Sequence, residues 1–483
     1  SVLENNTDLR KVVYSIMLTQ IQFGTYRCGE KLPTIEETSR RLCVSIDTAR
    51  TAYLKLKDEG YITLSKNVGA TVKVNYDSQE TEQFIQTFFS ARKNAMIDLI
   101  NSMLPLFGNA QCVGMKNASP EMLRKMEELF TEKNIEAPYA MLRHLNQKYS
   151  SLGNNLLMRL AWQIFMFLHD PFFSIKDNLH YFDQSEDYLS IVLVLCRKKE
   201  WTALRVKMAE SMNKLTSSLT RFYKDRIHMP SPEKEVAFTW SSYKKSQQLC
   251  YSIAMELLIS INRGLYPAGS LLPSQEELAR QKNVSVSTIR RTLELLGSVG
   301  AIKSARHVGT RVLPLEQTSA NSDFTKPVLR RRLLDMAESI QMLALSCKDV
   351  SVLTLSSLNT ESIEELCVKL KAYKGLRRGE NLSYFILSTV GESAPYQTIR
   401  TVYSELMRQF FWGYAFRGMN GKQEQINEMY DPFFDELIES LEKMDFCRFS
   451  ASLEELAVLE LRRTLSFLLH LGISDAESIL IPE

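Results

Sequence analysis

The sequence predicts a mainly α-helical protein made by tandem duplication: a small module of three helices and a β-hairpin, then a larger all-helical segment, twice over. Three observations predict it. Glycine and proline are sparse, 19 and 14 in 483 residues, too few for a turn-rich all-β chain or for collagen-like sequence. A stretch near the beginning of the chain recurs 240 residues later. Between and after the two copies, apolar residues recur at the spacing of helices. At about 100–200 residues per domain, a chain of this length holds two to four domains.

The repeat comes first because it decides the domain count. Residues 24–72 align without a gap on 264–312, with 18 identities in 49 positions. Gly24 pairs with Gly264, Pro33 with Pro273, Arg50 with Arg290 and Gly69 with Gly309. Each copy precedes a segment of similar length, which divides the chain into 1–75, 76–240, 241–315 and 316–483. The larger segments resemble each other much less. A DPFF string occurs at Asp170 and again at Asp431, outside the repeat's register.

Within the first copy, Val12, Val13, Ile16, Met17, Ile21 and Phe23 recur at helical spacing, predicting a helix over Leu9 to Phe23 that ends before Gly24. Thr34 with Glu37, and Ser274 with Glu277, are capping pairs that start a second helix. Ser45 and Ser285 are N-cap residues for a third, from Ile46 to about Lys57 and from Val286 to about Leu296. Two short helices across a tight turn, the second with small polar and basic residues in its first turn, make a helix-turn-helix. The run YITLSKNVGATVKV then alternates apolar with polar and folds back at Asn67 to Gly69, as a hairpin wing does. AIKSARHVGTRVL is its counterpart.

Both copies therefore resemble the winged-helix DNA-binding domain of the GntR family of bacterial transcription regulators. The resemblance lies in the G-x-Y-x-x-G-x-x-LP lead-in at Gly24 to Pro33 and Gly264 to Pro273, in VSxxTxR at Val44 to Arg50 and Val284 to Arg290, and in VGATV and VGTRV of the wings. It implies double-stranded DNA as partner. It also implies that Ser45, Asp47, Thr48 and Arg50, with Ser285, Ser287, Thr288 and Arg290, face the major groove. Lys66 and Gly69, with Arg306, His307 and Gly309, are then the wing residues against minor groove or backbone. The family commonly has arginine where this chain has Glu36, Glu276, Ile46 and Val286, so operator sequence does not carry over.

Charge distribution agrees independently. The chain's formal charge is +3, but residues 8–75 and 248–315 each carry +4, leaving −5 on the remainder. Basic heads on an acidic body suit a phosphate-binding module carried by a trunk that does not bind DNA. Ordinary family members pair two chains; here one chain supplies both heads, which predicts an intramolecular pseudo-dimer, with further homodimerisation left open. The heads differ at Asp47 against Ser287 and Ala49 against Ile289, which predicts an asymmetric operator.

The larger segments read as about six helices each, with starts at Pro120 and Thr360 and a stop at Gly375. They resemble the all-helical FadR-type effector domain, most visibly in YSSLGNNLLMRL at Tyr149 to Leu160, which implies a small-molecule effector. Many such domains hold a metal through an aspartate and three histidines. Here the first histidine position falls near Leu145, with Met141 in place of the aspartate, and the six histidines show no paired ligand spacing, so no metal is expected. His144 is expected at the surface or satisfied locally. Trp162, Phe165, Phe167, Phe410, Phe411, Trp412 and Tyr414 are weighed as helix-packing core ahead of a ligand cavity. The segments are too short for a pyridoxal-phosphate aminotransferase domain. No cofactor and no enzymatic activity are expected, since no catalytic constellation stands in the sequence. Eight scattered cysteines and no membrane-length apolar run predict a cytoplasmic protein. The rival reading is a ligand-sensing or protein-interaction scaffold with vestigial winged helices.

Overall fold

The structure, a computed structural model, describes residues 7–131, 137–181, 188–243 and 248–483. It divides into two units, residues 1–240 and 241–483, with Tyr396–Thr398 grouped with the first. In the first unit, α1 (Thr7–Gln22), α2 (Ile35–Leu42) and α3 (Ile46–Asp58) precede the antiparallel pair β1 (Ile62–Ser65) and β2 (Gly69–Val72). Val13, Ile16 and Met17 of α1 close over Ala49, Ala52, Tyr53 and Leu56 of α3, with Ile62 and Val72 sealing the wing's inner face. The lead-in adds a short third edge to the wing: Gly29 donates to the Val72 carbonyl (2.9 Å) and Leu32 to Ala70 (3.0 Å). Gly29, at φ 84°, makes the turn into that edge.

The helical segment of this unit runs α4 (Ser78–Lys116), α5 (Pro120–Thr131), α6 (Ala137–Tyr149), α7 (Asn155–Ile164), α8 (Asp170–Phe173), α9 (Tyr188–Arg197) and α10 (Trp201–Arg226). Asp77 and Glu80 close a reciprocal capping box on α4, and α4 packs along α10. The YSSLGNNLLMRL stretch forms a turn through Gly153, φ 66°, after which the Asn154 side chain caps α7 by accepting from Leu157 N at 2.8 Å. A π-helical turn, Phe165–His169, links α7 to α8.

The second unit repeats the opening: α11 (Leu249–Asn262), α12 (Gln275–Lys282), α13 (Val286–Val299), then β3 (Ile302–Ala305) against β4 (Gly309–Val312). Its helical segment comprises α14 (Thr318–Asn321), α15 (Pro327–Ser357), α16 (Thr360–Gly375), α17 (Leu382–Glu392), α18 (Gln397–Arg408), α19 (Gln423–Glu442) and α20 (Phe446–His470), with α15 packed along α20. The protein is thus mainly α with two small wings, as expected. The DPFF strings lie in unlike settings. Asp170 is buried at the start of the short α8, whereas Pro432 sits inside α19 and Asp431 pairs with Arg377 at 3.0 Å.

In each unit the small module shares its core with the helical segment that follows. Leu142, Trp162, Phe165 and Met166 join the first module's cluster. There Trp162 Nε1 donates to the Leu42 carbonyl (2.7 Å), and Gln20 Nε2 to Asp170 Oδ1 (3.3 Å). In the second unit one cluster runs from α11 and α13 through α15, Trp412 and Tyr414 to α20. Gly300, at φ 90°, admits the close approach: a Cβ there would lie 2.2 Å from the Thr318 carbonyl oxygen. The named aromatics of these clusters are packing core.

One internal difference separates the modules. Tyr53 OH donates to the Pro33 carbonyl (2.5 Å) and lies 2.7 Å from Thr38 Oγ1, whereas the equivalent positions are Leu293 and Leu278. Burial pushes the Tyr53 phenol well above its ordinary pKa. Tyr53→Phe should destabilise the first unit by about 1–2 kcal/mol, because Thr38 and Pro33 lose a buried partner. The double change Tyr53→Leu with Thr38→Leu should recover much of that loss in urea unfolding.

Candidate nucleic-acid interface

The helix-turn-helix geometry is built by caps. Thr34 Oγ1 accepts from Glu37 N and Ser274 Oγ from Glu277 N, each at 3.1 Å, starting α2 and α12. Both helices end in a left-handed residue, Cys43 (φ 57°) and Asn283 (φ 53°). Val44 N then returns to the Ser39 carbonyl and Val284 N to Ala279, both at 3.0 Å. Ser45 and Ser285 next cap α3 and α13, accepting from Thr48 N (3.1 Å) and Thr288 N (3.2 Å). The turn is therefore three residues long and fixed at both ends.

These caps correct one expectation. Thr48 and Thr288, anticipated at the groove, are buried, 1% and 7% exposed. Their hydroxyls lie 2.8 and 2.9 Å from Ser45 Oγ and Ser285 Oγ, so they support the cap from inside. Ser45 is half-buried and Ser285 exposed, and both are committed to capping. The outward face of α3 carries Asp47, Arg50, Thr51 and Leu54; that of α13 carries Ser287, Arg290, Arg291 and Glu294. Thr51, Leu54 and Arg291 were missed by motif matching, although the i, i+3, i+4, i+7 spacing from Asp47 and Ser287 places them on that face.

The two faces differ in charge. Arg50 Nη1 pairs with Asp47 Oδ1 at 2.8 Å, the two side chains being 49% and 74% exposed. An exposed pair of this kind holds by only about 0–1 kcal/mol, so Arg50 can exchange it for another acceptor. Asp47 nevertheless keeps an anion at the start of α3. In α13 the equivalent residue is Ser287, and among the described residues no carboxylate pairs with Arg290. Glu36 and Glu276 are exposed in the first turns of α2 and α12, Ile46 is 44% exposed and Val286 is partly covered.

The wings present short exposed tips. Lys66, Asn67 and Val68 bridge Ser65 and Gly69 in the first, and Arg306, His307 and Val308 bridge Ala305 and Gly309 in the second. Gly69 (φ 83°) and Gly309 (φ 112°) take the backbone through the turn, and His307 is itself left-handed at φ 62°. Arg311 Nη1 is held to the Gly269 carbonyl at 2.5 Å, fixing the second wing to its lead-in edge.

Each unit thus holds a winged helix whose third helix and wing both carry exposed basic side chains. Residues 9–72 and 251–312 match the family described as bacterial regulatory proteins, gntR family. Both modules are winged helices of the GntR family. A 68-residue stretch is 34% identical to the uncharacterized HTH-type transcriptional regulator YieP of Escherichia coli (strain K12), covering 14% of this chain and 30% of that protein. The chain therefore spans less than a third of that relative. Among solved structures, similarity extends to Streptococcus agalactiae GntR (15% identity, 44% of this chain, 99% of the other, TM-score 0.21). It also extends to Escherichia coli McbR/YncC (16% identity, 44% and 98%, TM-score 0.15).

Among the described residues, no group of three or more His, Cys, Asp or Glu side chains is placed to hold a metal ion, and no helix is long and apolar enough to cross a membrane.

Proposed function

We propose that this protein is a sequence-specific DNA-binding transcription regulator in which one chain supplies both winged helices, a covalent pseudo-dimer acting on an operator with two unlike half-sites. The observation that carries the reading is the pair of winged helices with exposed third-helix faces, each in a module of charge +4. A guanidinium at the start of such a helix can take two acceptors of one guanine, and a carboxylate can accept from cytosine N4, so Asp47 with Arg50 suits a different half-site from Ser287 with Arg290. The helical segments share cores with the modules, so a ligand that prefers one packing of a segment would shift the module's setting and thereby its DNA affinity. The protein acts without cofactor or catalysis in this reading.

Selection of bound sequences from a random duplex pool tests it. The reading predicts two enriched half-sites of unlike sequence. A palindromic consensus would overturn the asymmetry, and no enrichment would overturn sequence-specific binding. The Arg50–Asp47 pair favours a second reading in which only the second module reads bases and the first is a packing element; enrichment of a single half-site would select it.

A further inference from the structure

The outward faces of the two third helices differ in hydrophobicity as well as in charge. Ile46, Arg50 and Leu54 stand at i, i+4 and i+8 of α3, so they form one row along the helix with a turn between successive members. Ile46 is 44% and Leu54 42% exposed, and neither belongs to the core cluster of the first module. The corresponding row of α13 is Val286, Arg290 and Glu294, with Val286 partly covered and Glu294 exposed. An arginine set between two exposed aliphatic side chains is thus particular to the first module.

Single exposed apolar residues scattered over a surface are ordinary. These two are in line, and the local structure fixes where the line points. The Ser45 cap makes Ile46 the first residue of α3, while Thr48, Ala49, Ala52, Tyr53 and Leu56 are all buried on the opposite side. The helix therefore cannot roll to cover Ile46 and Leu54 without lifting that side out of the core. Both remain on the face that the helix-turn-helix turns outward, beside Asp47 and Thr51.

The base edges of a major groove offer donors, acceptors and one kind of apolar group, which in unmodified DNA is the 5-methyl of thymine. An aliphatic side chain set against that methyl removes two apolar surfaces from water. Set against any other base edge, it strips water from a polar group and gives it no partner. At the rise of an α-helix, Ile46 and Leu54 are ~12 Å apart along the axis, about three to four base-pair steps of ~3.4 Å. Arg50 stands midway, with a reach suited to guanine, and the +4 charge of the module supplies attraction to the flanking phosphates. In α13, Glu294 instead can accept from cytosine N4.

We propose that Ile46 and Leu54 are thymine-reading residues, each packing against the 5-methyl group of a thymine in the half-site of the first module, on either side of the base that Arg50 contacts. This rests on the DNA-binding reading above and adds to it what the first half-site must contain. The second half-site carries no such requirement, so the two differ in their need for methyl groups and not only in their pattern of donors and acceptors.

The test uses the full chain and the duplex selected from an unmodified random pool, resynthesised with deoxyuridine for thymidine in one half-site at a time. Deoxyuridine deletes the methyl and keeps the pairing edge. The proposal predicts that affinity falls about fourfold for each contacted methyl, about fifteenfold for two, in one half-site, and by less than about twofold in the other. In the Ile46→Ala, Leu54→Ala double variant the sensitive half-site should bind its thymidine and deoxyuridine forms alike. Both positions are exposed and alanine is a strong helix former, so the variant keeps its fold, which its thermal midpoint checks; the comparison of duplexes on the parent chain needs no variant at all. Indifference of both half-sites to deoxyuridine, or full sensitivity retained in the double variant, overturns the assignment while leaving the regulator reading intact. A pool that yields no enriched duplex overturns both.

Discussion

Arg290→Ala will lower the affinity of the full chain for its selected operator by about tenfold to a hundredfold, the 1–3 kcal/mol carried by a bidentate contact to guanine. Arg290 is exposed near the start of α13, with Ser287 one turn before it and Arg291 beside it. Arg50→Ala will cost less. Arg50 must first leave Asp47, 2.8 Å away, and the carboxylate remains when the arginine is gone. Asp47→Ser, which copies the second module, should instead strengthen non-specific binding by about two- to fivefold, since it removes a surface carboxylate worth up to about 1 kcal/mol. Fluorescence anisotropy on operators scrambled in one half-site at a time checks all three. Each arginine's loss should vanish when its own half-site is scrambled, and losses that ignore the half-site would refute the assignment of residues to half-sites.

Asp335→Ala should destabilise the second unit by about 3–5 kcal/mol, the loss expected when a buried ion pair is left with one partner. Asp335, 2% exposed, lies 3.0 Å from Arg332 Nε and 3.2 Å from Arg331, and accepts from Tyr243 OH at 2.8 Å. Arg332, itself only 6% exposed, stacks over the Tyr251 ring at 3.9 Å, so without Asp335 its charge has no water to retreat into. Tyr243 OH is also shared with Gln409 Oε1 (2.9 Å) and receives the Trp412 Nε1 hydrogen at 3.0 Å. Burial first, and then the Asp335 charge, push the Tyr243 phenol well above its ordinary pKa, so it serves as a neutral donor. This network fixes the chain just before α11 to α15 and Trp412, and so helps seat the second winged helix. Asp335→Asn preserves the shape and should cost less than alanine. Urea unfolding followed by circular dichroism distinguishes the two, and a loss below about 1 kcal/mol for alanine would show the pair to be dispensable.

The winged helices were legible in the sequence because their rules are local. Thr34, Ser274, Ser45 and Ser285 sit at caps whose partners lie three residues away, and Gly69 and Gly309 mark the hairpin turns. The inward direction of Thr48 and Thr288 was not legible, because a motif match preserves spacing and ignores which side of the helix is packed. Arg291 was lost for the same reason. The seating of each module was hidden for a different one. The Trp162 bond to Leu42 spans 120 residues and the Ser322 bond to Val299 spans 23, and neither leaves a trace in local periodicity. His144 was expected at the surface or locally satisfied; it is buried with Nε2 lacking a hydrogen-bond partner, on a helix that packs against α4, α5 and α7.

The most direct test is the dependence of affinity for random duplex DNA on salt concentration, measured for the full chain and for the Arg50→Ala, Arg290→Ala double variant. Two basic winged helices that engage phosphates predict a log–log slope of about −0.9 for each phosphate neutralised, and a shallower slope with weaker binding in the double variant. A slope near zero, or identical curves for the two proteins, would contradict it.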